Sequence, residues 1–516
     1  MRRVVVIVLL LGAALTGGSS PTPTAQAAGR DSFTTVAGTP VTLDPAHQSD
    51  IGSAAVSAQL FESLTAFDHD LVLRPALAAS WDVGEDGRRV VFHLRPGLEF
   101  SDGSPLTGTD VAESWLRIID PAAPSALASL FLDVKGAADY LAGRTTRADV
   151  GVRADGLDVI VDLERPGADF PAIVSSATFG VVPPATWRDR AAIDDARGPW
   201  SGAYVIDAMT PAEITLRGNP SYWAGPPAIG TVHLLADIGG RSPVAAFEDG
   251  SVDFVGVSSA DVSWLRYDRT LGPDLRLVPS LSLTYIGFTA DRPPFDDPQV
   301  RRAFGAAVDW ARITTLAGAS DAVAATSMVP PGIPGAGNGT WLPAHDPDAA
   351  RRLLAEAGYP GGAGFPDVAF AAGGVGAAEG IATDLRRELG VTIRLEELDD
   401  HFGRLQDDPP AMWSLGWVAD YPGPNDFLGV LLGTGSTNNY GRWSSPAFDD
   451  ALAEALGTRD AAVSAAAFAR ALGIVRDEVP VVPLEVNTGW ALARDGLLGA
   501  GENGLGILRI AGLAWK

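Results

Sequence analysis

Asp420 stands at the end of an apolar run with no base beside it. The stretch reads GWVADYPGPNDF (residues 416–427), so Trp417, Val418 and Ala419 precede the acid, and Tyr421 and Pro422 follow it. A second acid, Asp426, comes after a Pro-Gly-Pro-Asn turn sequence. A lone carboxylate lacks the partner that general acid–base or nucleophilic catalysis requires. The rest of the chain supplies no catalytic set either. It has no Gly-x-Ser-x-Gly, and its histidines (His47, His69, His93, His233, His345, His401) are scattered singly, with no His-Glu-x-x-His. That argues against a zinc site. Lys135 and Lys516 are the only lysines and neither follows a glycine, so there is no P-loop. Residues 499–504, GAGENG, match a dinucleotide fingerprint, but only twelve residues remain after them. That leaves no room for the required helix and second strand, and the segment reads as a C-terminal loop. Adjacent acids such as Asp296 and Asp297, or Asp449 and Asp450, point apart on any regular element. They read as solvated faces and caps rather than a glycosidase pair.

The chain has 516 residues, a length that suggests about two to four domains. Its formal net charge of −25 repels nucleic acid and anionic lipid surfaces. Arg2 and Arg3 precede an apolar run over residues 4–15, and Ala25-Gln26-Ala27 fits a small-x-small cleavage site. Residues 1–27 therefore read as a secretion signal, with an uncut anchor as the alternative. The run is short for an ordinary membrane span, and no second long apolar run follows. Gly18 stands where a bacterial lipobox has its lipid-bearing cysteine. The chain has no cysteine at all, which excludes thioether lipidation, disulfides and cysteine-ligated metals. A secreted chain of this kind relies on a large core.

The elements follow from periodicity and punctuation. Alternation over 33–45 predicts an exposed-edge strand, and 54–64 has helical spacing. Residues 88–94 predict a strand after the Asp86-Gly87 turn, and Thr109 is the expected N-cap of a helix over 110–118. Strands are expected at 212–223 and 283–290. Helices are expected at 300–311 and at 346–357, the second stopped by Gly358 and Pro360. Residues 386–398 read as a helix end, Gly390 and a strand; 448–456 and 461–475 are Ala-rich helices. Strands and helices alternate throughout, so the class is α/β.

Eight segments, in order, resemble one family. They are the 59–115 block ending SDGSPLTGTDVAESW, then ITLRGNPSYW, YIGFTADRPPFDDPQVRRAFGAAVDWARI, MVPPGIPG, DPDAARRLLAEAGYP, GWVADYPGPNDFL, NNYGRWSSPAFDDALAEA and VPVVPLEVNTG. Together they resemble the solute-binding proteins of ABC importers for oligopeptides and dipeptides, extracellular solute-binding family 5. The resemblance implies a periplasmic-binding-protein-like (type II) fold: two α/β lobes with a hinged cleft, plus an extra domain. By that pattern lobe I is discontinuous (28–62, 185–278 and 480–516), the extra domain is 63–184 and lobe II is 279–479. The hinge crossings fall near 279–283 and 479–483. A monomeric receptor is implied that captures a peptide or other small solute and hands it to a membrane permease. No cofactor, metal, nucleic acid or turnover is implied.

In the family's peptide binders an aspartate in a Trp-x-Ala-Asp-Tyr context meets the peptide's N-terminal ammonium, and Asp420 matches it. Lobe closure takes that amine out of water, where an unpaired cation is costly and a fixed carboxylate offers a charge-assisted hydrogen bond. Gly416, Trp417, Val418 and Ala419 would pair with the peptide backbone as an added strand does. The alternative for Asp420 is structural: capping the turn before Pro422 or pairing with an internal arginine. Trp413, Trp417, Tyr421, Tyr285 and Tyr440 would line ligand pockets or else pack a core. Asn438 and Asn439 would bind backbone or sugar groups or form a turn. Asp50 and Ser53 lie where the opposite cleft wall begins. Arg442 is the one residue offered for a peptide carboxylate. The family also takes oligosaccharides, opines and nickel chelates, so a non-peptide solute is the alternative ligand. A secreted hydrolase is the remoter rival.

Overall fold

Side-chain caps and a glycine stop set several helix ends. Asp50 caps Ile51–Leu60, Asp346 caps Pro347–Glu356 and Asp460 caps Ala461–Glu478, each accepting backbone N–H groups of the first turn. Gly390, at φ 71°, ends Ala378–Leu389 and leads into the strand Ile393–Glu396. The computed structural model describes residues 30–516, apart from 49, 69, 190–192, 194–195, 197, 279, 318–322, 334–338, 459, 487–488 and 500–503. The expected secretion signal and most of the GAGENG segment therefore lie outside the described residues.

Two large sheets organise the described chain. One is seven-stranded, in the order Leu275–Val278, Gly489–Ala493, Phe254–Gly256, Ser32–Val36, Thr231–Leu235, Glu213–Gly218, Tyr204–Met209. The other is six-stranded: Val323–Ala324, Val481–Val486, Ser282–Phe288, Met412–Val418, Val368–Ala371, Ile393–Glu396. A separate four-stranded antiparallel sheet, Ala78–Val83, Arg89–Leu94, Asp158–Asp162, Val152–Asp155, covers its own aromatic core of Phe92, Trp115, Phe131, Phe170 and Phe179. It falls inside the stretch 63–184. Among the described residues no helix is long and apolar enough to cross a membrane.

Two local readings need correction. The expected edge strand over 33–45 is short and central: Ser32–Val36 pairs in parallel with Thr231–Leu235 on one side and, at Thr35, with Phe254 on the other. Gly38, at φ 78°, turns the chain out of the ladder. The helix expected after Thr109 begins two residues earlier, as Gly108–Leu116. Thr107 is its N-cap, in a capping box with Asp110.

The passages between the two large sheets differ in how well they were anticipated. The first lies between Val278 and Ser282, near the expected crossing, although Pro279 is outside the described residues. The second was expected at 479–483, with lobe I resuming at 480. Val481–Val486 instead belongs to the six-stranded sheet, paired with both Ser282–Phe288 and Val323–Ala324. Pro483, inside this strand, sits where the register shifts at Thr284 and Tyr285, an irregularity at which proline is tolerated. The return thus falls between Val486 and Gly489.

Close packing at the centre of the six-stranded sheet gives one prediction. A Cβ on Gly287 would lie 2.2 Å from the Trp413 ring, which is itself T-shaped against Tyr285 at 5.7 Å. Gly287→Ala is expected to lower stability by about 1–3 kcal/mol through overpacking. Chemical denaturation checks this; an unchanged midpoint would mean that the indole has room to move.

Candidate ligand-binding site

The strand Met412–Val418 is paired along one edge with Ser282–Phe288 for its whole length. On its other edge, pairing with Val368–Ala371 stops at Trp413. Among the described residues no strand covers residues 415–418 on that edge. Gly416 is exposed, and a Cβ built on it meets nothing within 4 Å. Unpaired N–H and C=O groups of such an edge are a template for an added strand.

Asp420 ends this edge. Its backbone N–H donates to Asp426 Oδ2 at 3.1 Å, and Trp417 Nε1 donates to the same oxygen at 3.0 Å. Asp426 thus clamps the turn that aims Asp420, a positioning role that the sequence did not disclose. The Ser176 side chain, which also lines the cavity, hydrogen-bonds to Asp420. Burial pushes Asp420 up to about 7, against the lowering effect of that hydrogen bond. Burial, and then the Asp420 charge, hold fully buried Asp426 well above the usual carboxylate range. Asp426 is the more enclosed of the two, and Asp420 is the one that lines the cavity. No cation contributes to Asp420, which rules out the internal arginine partner among the described residues.

Leu415, Gly416, Trp417, Val418, Ala419 and Asp420 form one wall of a cavity of about 340 Å³. The helix Ile51–Leu60, residues 175–177, residues 505–507 and Arg509 also line it. The cavity therefore lies between the two large sheets and the four-stranded domain. Its lining is mostly apolar.

Residues 72–439 match the family model described as bacterial extracellular solute-binding proteins, family 5 Middle. The chain belongs to that family of solute-binding proteins. Relatives of this family 5 protein include the probable deoxycholate-binding periplasmic protein YgiS of Escherichia coli, 29% identical over 86% of each chain. The periplasmic oligopeptide-binding protein OppA of the same species is 27% identical over 86% of this chain and 84% of its own. A crystal structure of Haemophilus influenzae OppA in complex with RPPGFSPFR superposes with a TM-score of 0.82 at 22% identity, covering 94% of this chain and 99% of that one. The architecture is the two-lobed α/β fold of periplasmic binding proteins.

Several residues expected at the ligand site of this family 5 protein serve elsewhere. Tyr285, Trp413 and Tyr440 are buried together in the core beside the six-stranded sheet, with Tyr440 5.9 Å from Phe402 across a ring contact. Tyr421 is fully buried among the four-stranded domain's apolar residues, its hydroxyl donating to Asp169 Oδ2 at 3.2 Å. Asn439 donates to the backbone oxygens of Leu432, Gly433 and Trp443, so it shapes a turn. Ser53 is buried and donates to Asp50 Oδ2 at 2.5 Å while accepting from the Val41 and Thr42 amides. Asp50 and Asn438 do line the cavity, but both carboxylate oxygens of Asp50 accept from Ser53. Arg442 is on the surface, paired with Asp291 at 3.3 Å, and does not line the cavity. Ser176 and Arg509, which do line it, carried no sequence signal. Each reaches the site through a loop whose partner lies in another part of the chain.

Proposed function

We propose that this protein captures a peptide with a free N-terminal amine between its lobes, outside the cytoplasmic membrane, and delivers it unaltered to an ABC permease. The observation that carries the reading is the uncovered edge of residues 415–418 ending at Asp420, a half-buried carboxyl with no protein cation. The edge can pair with any peptide backbone and the carboxylate with its ammonium. Closure then moves the lobes about the passages at 278–282 and 486–489. The OppA relatives are named for oligopeptides, which supports the same ligand class here, and the relatives' periplasmic location supports the compartment. A second reading, an amine-free apolar solute, is favoured by the mostly apolar lining and by the name of the YgiS relative.

Titration calorimetry with apolar tripeptides, free and N-acetylated, and with deoxycholate, separates these readings. Free-amine peptides are expected to bind best, and with a pH signature. Asp420 must lose its proton to pair, so affinity should weaken by up to about tenfold per pH unit below about 7. Above about pH 8 the peptide's own α-amine begins to deprotonate and affinity should fall again. Equal affinity for free and acetylated peptides, or a flat profile, would sink the amine reading. Binding of deoxycholate alone would favour the second.

A further inference from the structure

We propose that Arg509 recognises the carboxylate of the captured peptide, so that the cavity selects a short ligand charged at both ends. The inference rests on the peptide reading above and adds its second anchor. Three ionisable side chains line the cavity among the described residues: Asp50, Asp420 and Arg509. Asp50 is engaged by Ser53 and Asp420 is an acid, so Arg509 is the lining cation.

Its setting is that of a fixed receptor group rather than a loose surface arginine. Gln59 holds the backbone on both sides of it: Gln59 Nε2 donates to Leu508 O at 2.9 Å, and Ile510 N donates to Gln59 Oε1 at 3.1 Å. Arg509 Nη2 donates to Glu62 Oε1 at 2.5 Å, and Glu62, almost fully buried, also accepts from the Tyr222 hydroxyl. The Glu62 charge, ahead of an opposing effect of burial, raises the guanidinium's pKa, so it stays charged at any working pH. Even with Glu62 bound, the Arg509 side chain remains 34% exposed, and it faces the cavity. A guanidinium carries five N–H donors in a planar fork, so one edge can serve Glu62 and another a ligand.

The surroundings decide what such a fork selects. The Arg509–Glu62 pair is neutral overall, so recognition comes from direct hydrogen bonds rather than a long-range field. Apolar neighbours such as Ile51, Phe61 and Phe67 lower the local dielectric, which strengthens a charge-assisted bond and penalises a ligand end that cannot make one. At about 340 Å³ the cavity is near the lower end of small-molecule sites, which suits a peptide of few residues.

The test uses apolar tripeptides as free acids, as C-terminal amides and as N-acetylated acids, titrated calorimetrically. For the natural sequence, amidation is expected to weaken binding about 10–100-fold, the range of a charge-assisted hydrogen bond. R509K should retain part of the preference for the acid. R509Q strands Glu62, so E62Q/R509Q, which removes both charges, is the companion variant that keeps the fold testable. In that variant acid and amide should bind alike while the preference for a free amine persists. If amide and acid bind the natural protein equally while acetylation still abolishes binding, the role of Arg509 is overturned and the amine reading stands. If E62Q/R509Q keeps the full preference for the acid, the carboxylate is read elsewhere and the proposal falls. If no tripeptide form binds, the peptide reading falls and this proposal with it.

Discussion

Asp420→Asn is expected to weaken a free-amine peptide by about 2–5 kcal/mol, the range for truncating one partner of a buried charge pair. The substitution keeps the shape of the side chain and removes its charge. It should leave N-acetylated peptides almost unaffected and abolish the decline in affinity below about pH 7, because the titrating group is gone. Stability should move the other way or not at all. Asp420 lies against Asp426, a buried acid that its charge perturbs, and no protein cation offsets it. Neutralising it therefore removes the cost of holding a desolvated, unpaired charge, and the melting temperature at about pH 8 should hold or rise. A capping role at the Pro422 turn predicts the reverse pattern, with the melting temperature lowered and affinity unchanged. Calorimetric titration and thermal melts on the same preparation distinguish the two.

Asp44→Ala is expected to cost about 3–5 kcal/mol of stability, because it strands a buried arginine. Asp44 is fully buried between the N-terminal segment and the four-stranded domain. Its Oδ1 accepts from Arg117 Nη1 at 3.0 Å and from Ala46 N at 3.1 Å, and its Oδ2 meets His47 Nδ1 at 2.8 Å and Arg117 Nη2. Arg117 is itself only 6% exposed. Burial raises the pKa of Asp44, but the His47 hydrogen bond and the Arg117 charge and hydrogen bond outweigh it and hold the group at about 2. A depressed carboxyl stabilises the fold above its unfolded value and loses that contribution as pH falls through the folded value. The natural protein should therefore lose this part of its stability between about pH 4 and about pH 2, and Asp44→Ala should lack that component. The double variant D44A/R117M removes the stranded charge and should be milder than D44A alone. Urea denaturation at neutral and acid pH measures both effects; a loss under about 1 kcal/mol in D44A would mean that water replaces the carboxylate.

How legible the molecule was depended on the range of the interactions. Elements set within one or two turns of chain could be read directly. Asp346 and Pro347 start a helix, Gly390 ends another, and the Asp86-Gly87 turn precedes Arg89–Leu94. Elements decided by pairing could not be. The strand at Ser32–Val36 has the alternation of an edge strand but lies mid-sheet, because its neighbours arrive from residues about 200 positions away. The second crossing was expected at 479–483, yet the strand runs on to Val486 because both flanking strands pair with it.

The candidate site divides in the same way. Residue types and order by themselves determined the α/β class, the family, the absence of cysteine chemistry and the singling out of Asp420, because these depend on local pattern and composition. Only the tertiary structure decided which aromatics face ligand. Trp417 lines the cavity while Trp413, four residues earlier on the same strand, is buried in the core. It also decided the partner of each charge. Asp426 clamps Asp420, Ser176 hydrogen-bonds to it from a distant part of the chain, and Arg509 takes its station from Glu62, 447 residues away. A buried carboxyl and a fixed guanidinium acquire their properties from desolvation and from neighbours brought by the fold, and no spacing along the chain encodes either.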